Sequence, residues 1–526
     1  MLAFLLLAVV HTWPLAAAPA HWSRVDPGDG ALNTWIVGWV GHTLAHQPAR
    51  LFDANIFYPE QRTLAFSEAM IVQGVLAMPV LALGGSAVLA YNAALLAGLT
   101  LTGWAFCLLV RRWTGSWSAG LVAGSLAAFN SHSLTHLTHL QFLHAEFFAL
   151  MLYAVDRLVT LGLMRDAVAL AAGFALQGLT SIYLLVFAAW TLVFAVVGRA
   201  SDCWARRGLV LSRLAAAGAL AALMLSPYLA QYLLAHQSMG FTRTVEDEEP
   251  ATWANYLSTG ARVHFNTWSR PFYETSTSTT FPGVAALALM VVAIGERRNT
   301  SDARFRMCAV IAGGCVAVST APLLPFYRIL HAAIPLFQAV RVLALIGQVV
   351  LLMIAVIAGF GVRSLQDSWK HRRSWPLGVS LLLVVVNGEA LRAPIGYTWF
   401  DGVPAIYDVL KNRPGAVVVE LPFPLPQQWF MNTPYMVNST RHWRPLLNGY
   451  SGFRPPSYDK AYEITRGFPS DSSLIGLHEL GVTHIVVHHR ELNNGVPDDR
   501  YDPFAGVRSL QLLARDENIL IYRMLP

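Results

Sequence analysis

Charge is what this sequence has least of. Of its 526 residues only 13% are Asp, Glu, Lys or Arg, and 55% are hydrophobic. Soluble globular proteins carry about 25% charged residues. A chain this long with so few charges cannot cover several soluble domains with polar surface, and its hydrophobicity excludes intrinsic disorder. Cysteine is scarce as well. Cys107, Cys203, Cys308 and Cys315 show no C-x-x-C or Cys/His spacing, which excludes a disulfide scaffold and leaves cysteine chemistry without a motif. No Lys or Arg precedes the first apolar run, and the chain has no repeat of about 20–50 residues. An integral membrane protein remains.

The net charge of +6 does not indicate a nucleic-acid partner, because the basic residues sit in short loops between apolar runs. A spanning helix needs about 20 mostly apolar residues. Such runs lie near 1–19, 86–110, 117–135, 142–164, 166–180, 181–198, 209–234, 282–296, 306–322, 341–363 and 376–393. They predict an all-α polytopic bundle of about eleven transmembrane helices. The run 68–84 is broken by Pro79 and Gly84-Gly85, which predicts a shorter re-entrant or interfacial helix. Ala18-Pro19-Ala20 has the look of a signal-peptidase site, but with no basic residue before it the first run reads as a true span. Starting that span in the cytoplasm puts every basic cluster on the cytoplasmic side, among them Arg111-Arg112, Arg206-Arg207 and Arg372-Arg373. The expected location is the inner (plasma) membrane, with the N-terminus cytoplasmic.

Two domains follow. Residues 1–393 form the bundle, with a first outer loop at 20–85 and a large outer loop at 235–281. Residues 394–526 have a more ordinary polar balance and predict a small extracytoplasmic α/β domain. There Val417-Val418-Val419 and Ile485-Val486-Val487 read as buried strands and Leu474–Leu480 as a short helix. Leu512–Arg523 reads as a hairpin turning at Asp516-Glu517-Asn518.

The strongest chemical feature is Asp26-Pro27-Gly28-Asp29, just outside the first span. Pro then Gly favours a type II turn whose ends come within about 7 Å, so two carboxylates converge at the membrane surface. One can act as general base while the other holds a hydroxyl, a basic group or a metal; a plain solvated turn is the alternative. Leu32, Trp35, Ile36, Trp39, Val40 and Leu44 then recur at helical spacing and predict a helix lying in the interface.

His132, His136 and His139, followed by Gln141, fall at offsets that place three imidazoles on one helix face. They can contact a phosphate or acceptor, hold a metal, or pack as a polar helix end. Arg328 and Arg341 flank an outer loop and Arg243 lies in the loop 235–281; guanidinium groups bind phosphate oxygens bidentately, and a surface or headgroup charge is the alternative for each. In the tail, Asn448-Gly449-Tyr450-Ser451-Gly452-Phe453 offers the aromatic faces of Tyr450 and Phe453 to a sugar or to loop packing. Glu420 is a weaker site residue, and His484, His488 and His489 read as structural.

Together these features resemble the GT-C superfamily of membrane glycosyltransferases, over the whole bundle. The shared traits are an acidic motif (Asp26, Asp29) in the first outer loop, interfacial helices after it, a broken helix before the second span, and a large outer loop after the seventh. The chain is also similar to a group of bacterial polytopic membrane proteins within or near that superfamily. That likeness rests on Thr12-Trp13-Pro14, the D-P-G-D turn, Asn55-Ile56-Phe57-Tyr58-Pro59, His136-Leu137-Thr138-His139-Leu140-Gln141 and Asn448–Phe453.

The resemblance implies a polyprenyl-phosphate sugar donor, an extracytoplasmic lipid, glycan or protein acceptor, and membrane lipids as partners. It implies an acidic residue of the first outer loop at the reacting centre, matched by Asp29 or Asp26, with basic residues near the outer loops for the lipid phosphate. The first loop lacks the Asp-Glu pair of the aminoarabinose and protein-mannosyl branches, which leaves the substrate class and a divalent metal open. Two other classes compete: a transporter or flippase of lipid-linked glycans, and a non-catalytic cell-envelope assembly protein. A transporter would carry charges inside its spans; these spans hold few, such as Asp156 and Arg157 near a cytoplasmic end and Glu389 near an outer end.

Overall fold

The computed structural model describes residues 1–23, 28–240, 248–321, 326–333, 340–369, 374–489, 502 and 504–525. The chain divides into two compact units. One comprises Met1–Ala17, Ala94–Tyr228 and Thr242–Gly396; the other comprises Ala18–Ala93, Leu229–Phe241 and Tyr397–Pro526.

Every apolar run named above is helical. The helices include Leu2–His11, Ala87–Thr114, Trp117–Ala128, Glu146–Leu161, Met164–Thr180, Ile182–Gly198, Arg207–Met239, Val284–Gly295, Ala303–Ser319, Gly347–Trp369 and Trp375–Ala390. Among the described residues three helical stretches are long and apolar enough to cross a membrane: Ala87–Thr114, Arg207–Met239 and Leu343–Trp369. Two of the others are shorter than their apolar runs because backbone breakers intrude. Leu2–His11 stops three residues before Pro14, and Val284–Gly295 starts after Pro282-Gly283. The broken run near 68–84 is a helix over Ile71–Ala82 with Pro79 inside it.

In the first unit Gly347–Trp369 is the central helix, buried along most of its length and packed on Trp117–Ala128, Val284–Gly295 and Ala303–Ser319. Small residues permit the close crossings. A β-carbon at Gly120 would lie 2.6 Å from the Cys107 carbonyl oxygen, and one at Gly124 would strike the Gly103 carbonyl. The charges near span ends are paired. Arg199 bonds Asp156 at 2.5 Å, and Arg157 bonds Asp166 at 2.8 Å. Glu389 accepts from His264 at 2.7 Å and from the Ala285 amide at 2.9 Å, capping the helix Val284–Gly295. Each thus has a partner within the protein.

The second unit carries the strands. β1 (Trp22–Ser23) pairs antiparallel with β2 (Thr398–Trp399). β3 (Val418–Leu421), β4 (His484–His488), β5 (Leu510–Arg515) and β6 (Ile519–Met524) form one sheet in the order β3-β4-β6-β5. β3 and β4 are parallel, so the chain between them must cross over. It does so through the helices Thr433–Ser439, Pro456–Thr465 and Asp471–Glu479. β3 is buried throughout, as is β4 up to Val487, which explains the unbroken valine runs. The expected hairpin turns at Asp516, whose Oδ1 accepts from the amides of Asn518 (2.8 Å) and Ile519 (2.7 Å).

The helix Asp29–His46 forms as its spacing predicts, and the protein itself covers it, burying nearly all of Gly30–Thr43. The helices Ile71–Ala82 and Thr433–Ser439 pack on it. Gly38, Gly41 and Gly74 let them approach: a β-carbon at Gly41 would lie 2.7 Å from the Leu81 side chain. Both indoles have protein partners. Trp35 donates to Asn55 Oδ1 at 3.2 Å, and Trp39 to the Leu51 carbonyl at 2.9 Å.

Candidate active site

Asp29 is the first residue of its helix, and its side chain is exposed. Gly28 precedes it at φ 129°, a backbone conformation that side chains rarely adopt. The Gly28 amide donates to Thr433 Oγ1 at 3.1 Å, which fixes where the helix starts. A carboxylate in the first turn also faces the positive end of the helix dipole. Asp26 and Pro27 lie outside the described residues, as does Arg243.

Tyr450 reaches Asp29 from the tail: its hydroxyl donates to Asp29 Oδ1 at 3.3 Å. Backbone pairing brings this loop to the first-loop segment, with the Tyr58 amide donating to the Leu446 carbonyl at 3.0 Å. The Phe57 amide donates to the Asn448 carbonyl at 3.1 Å, and the Leu446 amide to the Asn55 carbonyl at 2.8 Å. Asn448 is buried and doubly tied, accepting from the Glu420 amide (2.8 Å) and donating to the Glu420 carbonyl (2.9 Å). Gly449 and Gly452 are the close-approach positions: a β-carbon at Gly449 would lie 2.6 Å from the Phe57 ring. The motif's aromatics divide. Tyr450 is half-buried with its hydroxyl on Asp29, and Phe453 is half-buried beside it in sequence.

Two neighbours were not singled out in the sequence. Trp429 packs edge-on against Tyr450 at 4.8 Å, and the Arg454 guanidinium lies over the Trp429 ring at 6.0 Å. Arg454 follows the motif directly, which was its only sequence signal. Glu420 is fully buried and accepts from the Tyr407 hydroxyl (2.7 Å) and His488 Nε2 (2.6 Å), an internal network.

The histidine cluster belongs to the other unit. Its helix ends at Thr135, so the three imidazoles do not lie along one helix face as expected. The turn that follows still keeps them together, with ring centroids 4.2 Å apart for His132 and His136 and 5.7 Å for His136 and His139. His132 is completely buried, and neither of its ring nitrogens has a hydrogen-bond partner. Burial, then His139, lower the His136 pKa to about 4, so that ring stays neutral near pH 7. Gln141 is buried, and Arg392, absent from the sequence reading, lies near His136 and donates to the Leu134 carbonyl at 2.6 Å. Arg328 and Arg341 are both exposed. Among the described residues no group of three or more His, Cys, Asp or Glu is placed to hold a metal ion.

No protein-family model matches this sequence, and no curated protein does. Solved structures match it. The chain is similar over 100% of its length to the arabinofuranosyltransferase AftD from Mycobacteria, with a TM-score of 0.57 at 15% identity. It spans 39% of that protein's length. It is also similar, over 99% of its length and 97% of the other's, to ArnT from Cupriavidus metallidurans bound to undecaprenyl phosphate, with a TM-score of 0.50 at 13% identity. The chain therefore has a GT-C-like fold.

Proposed function

We propose that this chain is a membrane glycosyltransferase. It moves a sugar from a polyprenyl-phosphate donor to a lipid, glycan or protein acceptor outside the membrane. The observation that supports this best is the exposed Asp29 carboxylate held by Tyr450 in a GT-C-like fold. The N-terminus is cytoplasmic, and the tail domain 394–526 is outside.

Asp29 accepts the proton of an acceptor hydroxyl as that oxygen attacks the anomeric carbon in line. The bond between the anomeric carbon and the phosphate oxygen breaks, and its electron pair leaves with the polyprenyl phosphate. Charge growing on that phosphate calls for fixed positive groups or donors. Arg328 and Arg341 suit the charge, with Arg243 a third, while His136, His139 and Gln141 serve as neutral contacts to the donor or acceptor. Asp26 orients the acceptor, and Tyr450 and Phe453 touch the sugar. No step is routed through a metal.

Mass spectrometry of lipid co-purified with the protein tests the donor. A polyprenyl-phosphate sugar, or the bare polyprenyl phosphate, is expected; bulk phospholipid alone counts against the reading.

A further inference from the structure

The mechanism leaves unused a mostly apolar cleft of about 630 Å³, within the usual range of roughly 300–1,000 Å³ for ligand pockets. It belongs wholly to the first unit. Its walls come from the helices Ala87–Thr114 and Glu146–Leu161, with Gly115 at one end. Ala105, Leu108 and Leu109 line it from one face of the first helix. Ala149, Leu150 and Tyr153 line it from one face of the second.

The two ends of the cleft differ. At one, Arg111 and Arg112 are exposed, and among the described residues no carboxylate pairs with either. The Arg111 guanidinium lies 3.7 Å from the centre of the Trp117 ring, and Trp117 is 47% exposed. Tryptophan gathers at the headgroup level of a bilayer, so this end sits where lipid phosphates do. Arg157, 5.5 Å from the Tyr153 ring, is already held by Asp166. At the other end lies Glu146, 10% exposed in its side chain. Its two oxygens lie 3.0 Å from His144 Nδ1 and 3.3 Å from the Thr102 hydroxyl. That carboxyl is satisfied within the protein and calls for no cation from a ligand.

The cleft has the depth of one leaflet. Ala105 and Gly115 are ten residues apart, about 15 Å at 1.5 Å per residue. The hydrocarbon core of a bilayer is about 30 Å thick, twice that depth. Unpaired guanidinium groups at headgroup level and an apolar slot one leaflet deep suit an anionic phospholipid. Its phosphate meets the arginines and an acyl chain lies between the helices. A polyprenyl chain is far longer than such a slot. The helix Trp117–Ala128, about 18 Å long at 1.5 Å per residue, carries the chain from the arginine end toward His132, so the cleft is not the histidine cluster.

We propose that this cleft holds one anionic phospholipid from the leaflet on the Arg111–Arg112 side, seated as a fixed part of the bundle. The inference goes beyond the glycosyltransferase reading and does not depend on it.

The test is native mass spectrometry of the full chain released from nanodiscs of equal phosphatidylglycerol and phosphatidylcholine. Wild type is expected to carry one phosphatidylglycerol, preferred at least tenfold over phosphatidylcholine. The surface double variant Arg111→Gln with Arg112→Gln should abolish that preference with unchanged melting. Ala105→Phe fills the slot and leaves both charges, and it should lose the lipid too. Leu108→Trp, at a position 38% exposed, is a second slot-filling variant with the same expected loss. The proposal is overturned if wild type carries no phospholipid or takes both kinds equally, or if the double variant keeps the preference. It is also overturned if the folded slot-filling variants keep it, since charge at the surface alone would then attract the lipid. Displacement of the lipid by inorganic phosphate or by a polyprenyl phosphate overturns it as well.

Discussion

The Tyr450 hydroxyl donates to Asp29 Oδ1 at 3.3 Å, although 421 residues of sequence separate the two. The carboxylate of the first outer loop and the glycine-aromatic motif of the tail are thus two halves of one arrangement. The contact holds because the tail loop is built onto the first loop by backbone pairing at Asn55–Leu446 and Phe57–Asn448. Tyr450 is then a positioning residue for Asp29, and Gly449 is what lets the loop sit that close.

Replacing Tyr450 with Phe removes the hydroxyl and keeps most of the ring packing on Trp429. A hydrogen bond to a charged group is worth about 1.5–3 kcal/mol when buried and less when exposed, so kcat should fall about tenfold. KM for the donor should change little, because orientation of the base matters only as the proton moves. Steady-state kinetics of Tyr450→Phe check this; a change confined to KM would make Tyr450 a binding contact only.

Gly449→Ala places a methyl group against the Phe57 ring. Overpacking of this kind costs about 1–3 kcal/mol. The purified protein should melt several degrees lower, and adding Phe57→Leu should return part of the loss by making room. Thermal unfolding followed by tryptophan fluorescence measures both. A Gly449→Ala protein that melts like wild type contradicts the close packing.

Glu248, in the large outer loop, is buried beside His331 at 3.2 Å. Burial raises its pKa from 4.5 to about 7, against a smaller lowering by the Tyr327 hydrogen bond. The folded state therefore binds this proton more tightly than the unfolded state does. Its stabilising effect is complete below about pH 4.5 and is lost as pH rises through about 7. Glu248→Gln cannot ionise, so its stability relative to wild type should improve between those limits. Denaturant melts at pH 5 and pH 8 test this; a mutant-to-wild-type difference that does not move with pH rules it out.

Much of the fold is legible in the sequence because local signals carry it. Valine runs at β3 and β4, the Asp516 turn and the apolar helices each follow from patterns within a few residues. Helix lengths are less legible. Pro14 and Pro282-Gly283 bound helices shorter than the apolar runs that hydropathy alone reads as full spans. The burial of the helix Asp29–His46 is not legible, because Trp35 and Trp39 suit an interface as well as a core and the helices that pack on it are distant in sequence. In the site, Asp29 was visible from its turn. Its partner Tyr450 was visible only as an aromatic in a glycine-rich loop. The histidine offsets assumed a continuous helix, and Arg392 had no local motif.

Transfer by Asp29→Asn is the most direct test of the central claim. Asn keeps the shape of the side chain and an oxygen for Tyr450, but it cannot take a proton at neutral pH. With folded, membrane-inserted protein and a polyprenyl-phosphate sugar donor, the account predicts a loss of about 10²–10⁴ in kcat, the usual size of a general-base contribution. Donor binding should be retained. Transfer at the wild-type rate by Asp29→Asn would contradict the account and move the base elsewhere.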